Sequence, residues 1–168
     1  IGATSSRTVQ GTSILQIEQD NTSLLSLVRT SNNNGAAFLT IGKTRNGSIL
    51  QSGDVIGVLN FHGDDGSDLA TPAAQIRVAV DGTPGSDDMP GRLEFLTTAD
   101  GASASTERLR ITSAGRLLVN GTSSTSPDGF DSLIQVNASN HEGSITIGRH
   151  TANANGPALL FQKSRSGT

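Results

Sequence analysis

The residues best suited to chemistry in this sequence are the carboxylates and the histidine of one glycine-rich run, HGDDGSD, from His62 to Asp68. Its aspartates offer the oxygen ligands that Ca²⁺ prefers. The run nevertheless lacks the D-x-[DN]-x-[DN]-G spacing and the closing Glu of a calcium loop. Aspartates in such sequence favour turns, because their side chains accept hydrogen bonds from nearby backbone N–H groups. We therefore predict a solvated turn here and not a calcium site.

The three histidines, His62, His141 and His150, are too far apart in sequence to form a local metal motif. The chain contains no cysteine and no HExxH sequence, so the common zinc-binding patterns are missing from it. We predict no metal site and no bound cofactor. One alternative stays open: a threefold axis would bring three copies of one histidine together around an ion.

Paired carboxylates are a further candidate, since two carboxyl groups perform acid–base chemistry in glycosidases. Asp64 and Asp65 form one pair, and Asp87 and Asp88 form another. Both pairs lie in turn-forming sequence, where Asp is favoured for local hydrogen bonds. The sequence also has neither a G-x-S-x-G nucleophile elbow nor a glycine-rich phosphate loop. We therefore expect no catalytic residues and no enzymatic activity.

The composition argues against several classes of partner. A net charge of −3 and a pI near 5.5 give no basic patch for a phosphate backbone. No run approaches the roughly 20 apolar residues of a membrane span. Trp and Tyr are absent and Phe occurs five times, so aliphatic residues must build the interior. We predict neither nucleic-acid binding nor membrane insertion, and the scarcity of aromatic anchors argues against a small-molecule or carbohydrate pocket.

A long internal repeat organises the chain. SILQIEQDN at 13–21 returns as SLIQVNASN at 132–140, and the segment 25–48 aligns with 145–168 at a shift of 120 residues. Such a period is that of a domain-sized module and not of a solenoid repeat. The predicted organisation is the end of a preceding repeat with a linker at 1–12, one nearly complete β module ending in a hairpin at 13–120, a linker at 121–131, and the start of the next module at 132–168.

Apolar residues recur mostly in steps of two, which predicts strands and an all-β fold. Leu109 and Ile111 alternate with arginines in this way. The segment 53–61 is apolar on both faces along much of its length, which predicts a central strand covered on each side. Other strands are predicted at 14–18, 24–29, 37–42, 75–80, 92–97, 107–112 and 116–119. Short strands separated by turn-rich sequence indicate small antiparallel β-sandwich-like modules.

The run TERLRITSAGRLLVNGTSS at 106–124 resembles a hairpin motif that recurs in tail-fibre and related fibre proteins of tailed bacteriophages. Two alternating strands flank TSAG, where Gly115 is suited to the positive φ of the turn. The preceding block at 53–103 is similar to segments of such fibres as well, especially those of phages that infect cyanobacteria and other marine bacteria.

The resemblance implies an elongated, parallel homotrimeric fibre in the virion, with other tail or baseplate proteins as partners. The expected function is that of a tail-fibre shaft segment that supports host recognition and attachment. Two alternatives are a module that binds host-surface glycans through loops such as 81–91, and a fibre attached to the neck or head. Threefold association would also close exposed sheet edges.

Alternation selects the side chains expected in the core or at the trimer interface. They are Val55, Leu59, Phe61, Ile76, Val78, Leu93, Phe95, Leu109 and Ile111. If Phe95 is fully buried, its replacement by Ala should cost about 3–5 kcal/mol per chain.

Overall fold

The computed structural model describes residues 15–18, 20–21, 25–124 and 132–137. These residues form no helix and one six-stranded sheet, so the all-β prediction is confirmed for them. The strands are β1 (Val55–His62), β2 (Pro72–Val80), β3 (Gly91–Thr97), β4 (Thr106–Ile111), β5 (Leu117–Val119) and β6 (Ile134–Val136).

The order of the strands in the sheet is their order in the chain. Strands β1 to β5 pair antiparallel, each with its sequence neighbour, whereas β6 pairs parallel to β5. The sheet is therefore mixed and not wholly antiparallel. The described residues build a single sheet, so any second layer of a sandwich must come from elsewhere.

A tight connection joins β4 to β5. The N–H group of Gly115 donates to the carbonyl oxygen of Thr112 at 2.9 Å, and the N–H group of Thr112 donates to the carbonyl oxygen of Arg116 at 2.9 Å. Gly115 has a φ of 76°, a left-handed conformation that costs glycine little because it has no Cβ. This geometry fixes the register in which Leu109 lies opposite Val119.

The alternation of side chains gives the sheet two different faces. All six strands contribute to one unbroken row across the first face: Leu59, Ile76, Phe95, Leu109, Val119 and Val136 lie in register. The row beside it, on the second face, consists of Val58, Arg77, Glu94, Arg110, Leu118 and Gln135. We call the first the apolar face and the second the charged face.

The buried apolar core is small and lies mainly on the charged face. Ala79, Leu96 and Leu118 are buried there. Thr122 contributes to its cover, because the carbonyl oxygen of Thr122 accepts a hydrogen bond from Arg110 at 2.7 Å. On the apolar face, Val80 is the one fully buried large side chain among the described residues.

Three strand predictions are wrong for the described residues. No strand forms at 15–18, 25–29 or 37–42. A strand needs a hydrogen-bonded neighbour, and these segments have none in the part of the chain that the structure describes. The prediction that 53–61 forms a central strand is wrong as well, because β1 lies at an edge of the sheet.

Strand β6 has an unexpected position relative to the repeat. Its residues belong to the segment that the repeat assigns to the next module. They nevertheless pair with β5, and the N–H group of Asn137 donates to the carbonyl oxygen of Val119 at 3.0 Å. A strand from beyond the predicted linker thus completes the sheet that β1 to β5 form.

Candidate functional site

The candidate site is the apolar face of the sheet. Its positions include Gly57, Leu59, Phe61, Ala74, Ile76, Val78, Val80, Gly91, Leu93, Phe95, Thr97, Thr106, Leu109, Ile111, Leu117, Val119, Ile134 and Val136. None of them is charged, although charged residues make up 16 % of the chain. Eight of the nine residues predicted for the core or trimer interface lie on this face. The ninth, Val55, lies opposite Ala79 on the charged face.

Large side chains of the apolar face are open to solvent in the single chain. Leu59 and Phe61 are about half exposed, and Ile134 is 65 % exposed. Phe95 and Ile111 keep 37 % and 40 % of their surface accessible. A continuous apolar patch of this kind is unfavourable in water and is typical of interaction surfaces and ligand-binding grooves.

Among the described residues, two parts of the apolar face have cover: Val80, in line with Ile76 and Val78, is fully buried, and Ile41 covers part of β1. The side chain of Ile41 rests on β1 at Gly57, where an added Cβ atom would lie 2.5 Å from the Cγ2 atom of Ile41. Glycine is required there for space and not for backbone conformation. Beside this contact lies a cavity of about 230 Å³, whose lining includes Leu59, Ile76 and Val78.

A network of charged side chains crosses the opposite face. The carboxylate of Glu94 is fully buried and accepts hydrogen bonds from Nε of Arg77 and, at 2.6 Å, from Nε of Arg92. Arg110 lies 3.5 Å from the same carboxylate and forms a closer pair with Glu107 at 2.5 Å. The network therefore links β2, β3 and β4 at one level of the sheet.

The network has a clear effect on ionisation. Burial opposes the charge of Glu94, but the hydrogen bonds from Arg92 and Arg77 outweigh it and hold the pKa of Glu94 below its usual value. The hydrogen bond with Glu107 raises the pKa of Arg110 against the opposing effect of burial. Every charge in the network is paired, which is the pattern of a structural cluster rather than a catalytic one.

The acidic loop after β1 is a set of local turns, as predicted for it. Asp64 accepts a hydrogen bond from the N–H group of Gly66 at 2.8 Å. Asp65 accepts hydrogen bonds from Ser67 at 2.9 Å and Asp68 at 3.2 Å, and these lower its pKa. The described residues hold no group of three or more side chains placed to bind a metal ion.

A shallow cleft of about 450 Å³ lies beside this acidic loop. None of its ten lining residues is aromatic, so it offers no ring on which a sugar could stack. His62, in the same region, is half-buried, and its Nδ1 atom is buried without a hydrogen-bond partner. His141 and His150 lie outside the described residues.

The loop at 81–91, predicted as an alternative glycan contact, is held at both ends. Asp81 accepts a hydrogen bond from the N–H group of Ser113 at 2.8 Å and lies 3.4 Å from Nη1 of Arg92. An isolated antiparallel β-bridge joins Gly85 to Asp88 at the tip of the loop, where Met89 is half exposed. The second predicted carboxylate pair, Asp87 and Asp88, therefore lies in a turn.

No family profile matches the sequence, and no curated protein is similar to it at a meaningful level. Among the residues that the structure describes, no helix is both long enough and apolar enough to cross a membrane.

Proposed function

We propose that the chain is a structural segment of a bacteriophage fibre, in which three parallel copies associate through their apolar faces. The observation that carries the proposal is an uncharged face on which six large apolar side chains stay 37–65 % exposed among the described residues. The second layer of the predicted sandwich-like module is then supplied by neighbouring chains. The role is mechanical: the fibre holds a host-binding tip away from the virion.

The size of the apolar face suits association between chains. Six strands spaced about 4.8 Å apart and about 20 Å long present roughly 500 Å² per chain. Such a face and the surface of the neighbouring chain that covers it together bury about 1,000 Å², which reaches the lower limit of a specific interface. Each of the six most exposed side chains is 37–65 % accessible, so covering it contributes about 1 kcal/mol.

The internal repeat favours a second copy of this chain as the partner. Ile134 and Val136 of the apolar face correspond to Leu15 and Ile17 one repeat earlier, so the apolar character is kept. A partner that follows a repeating surface must itself repeat at the same spacing. A parallel copy in register meets that requirement without any further adaptation.

The resemblance to tail-fibre proteins supplies the viral part of the proposal. It rests on the hairpin sequence at 106–124 and on the block at 53–103. In that setting the chain lies in the virion as part of a tail fibre or another fibre, next to other tail or baseplate proteins. We propose no catalytic role, because the paired carboxylates at 64–65 lie in local turns.

Sedimentation equilibrium of the 168-residue chain tests the assembly. We expect a species of three times the 17.2 kDa chain mass, and electron microscopy should show rods. A single-chain species at micromolar concentration would overturn the proposal. Matched variants sharpen the test: Ile111→Asp, on the apolar face, should give single chains, whereas Thr83→Asp, at an exposed position in the 81–91 loop, should not.

Phage adsorption to host cells tests the role of the segment. A shaft segment should not compete with intact phage for the host surface, since it carries no tip. Competition by the purified segment would favour the glycan-binding alternative.

A further inference from the structure

The most unusual exposed segment outside the sheet is the stretch of residues 25–41, which we call the apolar arm. All of it is exposed, and none of it forms a strand. Its large apolar residues include Leu25, Val28, Phe38 and Leu39, with 65 %, 78 %, 79 % and 71 % of their surfaces accessible. An arm of this composition is unfavourable in water unless something covers it.

The base of the arm is held firmly to the sheet. Lys43 lies 3.2 Å from the carboxylate of Asp54, and Arg45 donates to it through two nitrogens at 2.6 and 2.9 Å. The hydrogen bond from Arg45, with one from the N–H group of Gln51, holds the pKa of Asp54 well below its usual value. These contacts fix the point at which the arm leaves β1.

The arm touches its own apolar face at one residue and then departs from it. Ile41 sits on Gly57, but Leu39 and Phe38, two and three residues earlier, are more than 70 % exposed. The far side of the same face, with Phe95 and Ile111, stays uncovered. One chain thus carries two apolar surfaces that it does not bring together.

We propose that the apolar arm of each copy lies across the apolar face of a neighbouring copy. This inference rests on the proposed homotrimer and adds the contact that builds it. Each chain would give its arm to one neighbour and receive an arm from the other, a head-to-tail contact that closes after three copies. The occupant of the open face is then residues 25–41 of a second copy.

The dimensions of the arm suit this role. Arg29 donates to the carbonyl oxygen of Gly35 at 2.8 Å, and Asn33 accepts from the N–H group of Gly35 at 3.0 Å, so a turn divides the arm. The extended halves, 25–30 and 36–41, each span about 20 Å. That length approaches the width of about 24 Å that six strands provide.

Cysteine crosslinking tests the exchange, and the absence of native cysteine makes each crosslink unambiguous. A nitrogen-15-labelled Phe38→Cys chain is unfolded and refolded with an unlabelled chain that carries Val78→Cys, Phe95→Cys or Ile111→Cys. A short bismaleimide is added, and mass spectrometry separates mixed dimers from dimers of one kind. We expect mixed dimers of twice the chain mass as the main product with at least one of the three acceptors.

Two controls accompany the experiment. Asn33→Cys, in the polar turn of the arm, should give fewer mixed dimers than Phe38→Cys. A chain with Thr97→Cys and Thr106→Cys, which are direct neighbours on β3 and β4, should form an internal disulfide and so report a folded sheet.

The outcomes distinguish a failure of the proposed arm exchange from a failure of the proposed homotrimer. A trimer without mixed dimers, or one in which a Phe38→Cys/Phe95→Cys chain crosslinks only within itself, would overturn the arm exchange and leave the homotrimer standing. Single chains with a folded sheet would overturn both proposals.

Discussion

The substitution of Val78 by Thr would reveal whether the apolar face is covered. Val and Thr have nearly the same shape, so the change adds a hydroxyl group with little effect on packing or strand preference. In the single chain Val78 is 37 % exposed, and its new hydroxyl could bind water there. Within an interface of uncharged side chains the hydroxyl would lose that water.

The expected magnitude follows from the cost of burying an unpaired hydroxyl, about 1–3 kcal/mol in proteins. The trimer contains three copies of the residue, so its free energy of dissociation should fall by about 3–9 kcal/mol. This corresponds to a dissociation constant raised by about 10² to 10⁶. The stability of the dissociated chain should change by less than about 0.5 kcal/mol.

Val55 supplies a matched control for this measurement. It is also 37 % exposed, but it lies on the charged face, opposite Ala79. Val55→Thr should therefore leave the dissociation constant within about threefold of the original, the effect of an ordinary surface change. Sedimentation equilibrium over a dilution series gives both constants, and urea unfolding at low concentration gives the stability of each chain.

Equal dissociation constants for the two valine variants would refute the reasoning. The apolar face would then be open to water in the assembled state. A loss confined to Val55→Thr would place the interface on the charged face.

Three further results are expected. Gly57→Ala should lower the free energy of unfolding by about 1–3 kcal/mol because its Cβ meets Ile41, and adding Ile41→Ala should restore most of the loss in a double-mutant cycle followed by urea unfolding. Glu94→Gln should destabilise the chain by about 3 kcal/mol at pH 7, since it removes the carboxylate charge that pairs with Arg77 and Arg92. Folding lowers the pKa of Glu94, so the contribution of its charge to stability is complete above the unfolded pKa near 4.5 and is lost as the pH falls through the lower folded pKa. Below the folded pKa, the variant and the original should show the same stability in thermal unfolding. Phe95→Ala should cost the assembled chain about 3–5 kcal/mol per copy in urea unfolding, and a loss below about 1 kcal/mol would remove Phe95 from the interface.

Period-two alternation selected eight residues that lie on the apolar face. Ile76, Phe95 and Leu109 were selected from three separate segments, and the structure places them in one row. This works because successive side chains of any strand point to opposite faces, whatever the neighbouring strands are. The sequence could not indicate whether the face is covered by the same chain or by another one.

The errors arose where a strand depends on its neighbours. The segment 53–61 has apolar residues on both faces, yet β1 lies at an edge, since hydrophobicity does not determine how many neighbours a strand has. The alternation at 37–42 resembles that of β2, but no described segment supplies the backbone hydrogen bonds that a strand requires. Propensity alone does not form a sheet.

The charged network was missed although the sequence contains a signal for it. Arg77, Glu94 and Arg110 each lie inside a strand, at positions that alternate with residues of the apolar face. Charges of alternating sign at the centres of three successive strands favour pairing across the sheet. Recognising this requires the register, which the β4–β5 turn and the shared hydrophobic rows determine together.

The parallel pairing of β6 with β5 has a mechanical consequence. Strands β1 and β6 lie at opposite edges of the sheet and run in the same direction, because four antiparallel pairings separate β1 from β5 and one parallel pairing follows. A pulling force applied at the start of β1 and the end of β6 therefore acts along the strands in opposite senses. Such shear strains all the hydrogen bonds of a ladder at once, whereas a force across the strands would open them one after another. The sheet is thus arranged to resist tension applied between the start of β1 and the end of β6.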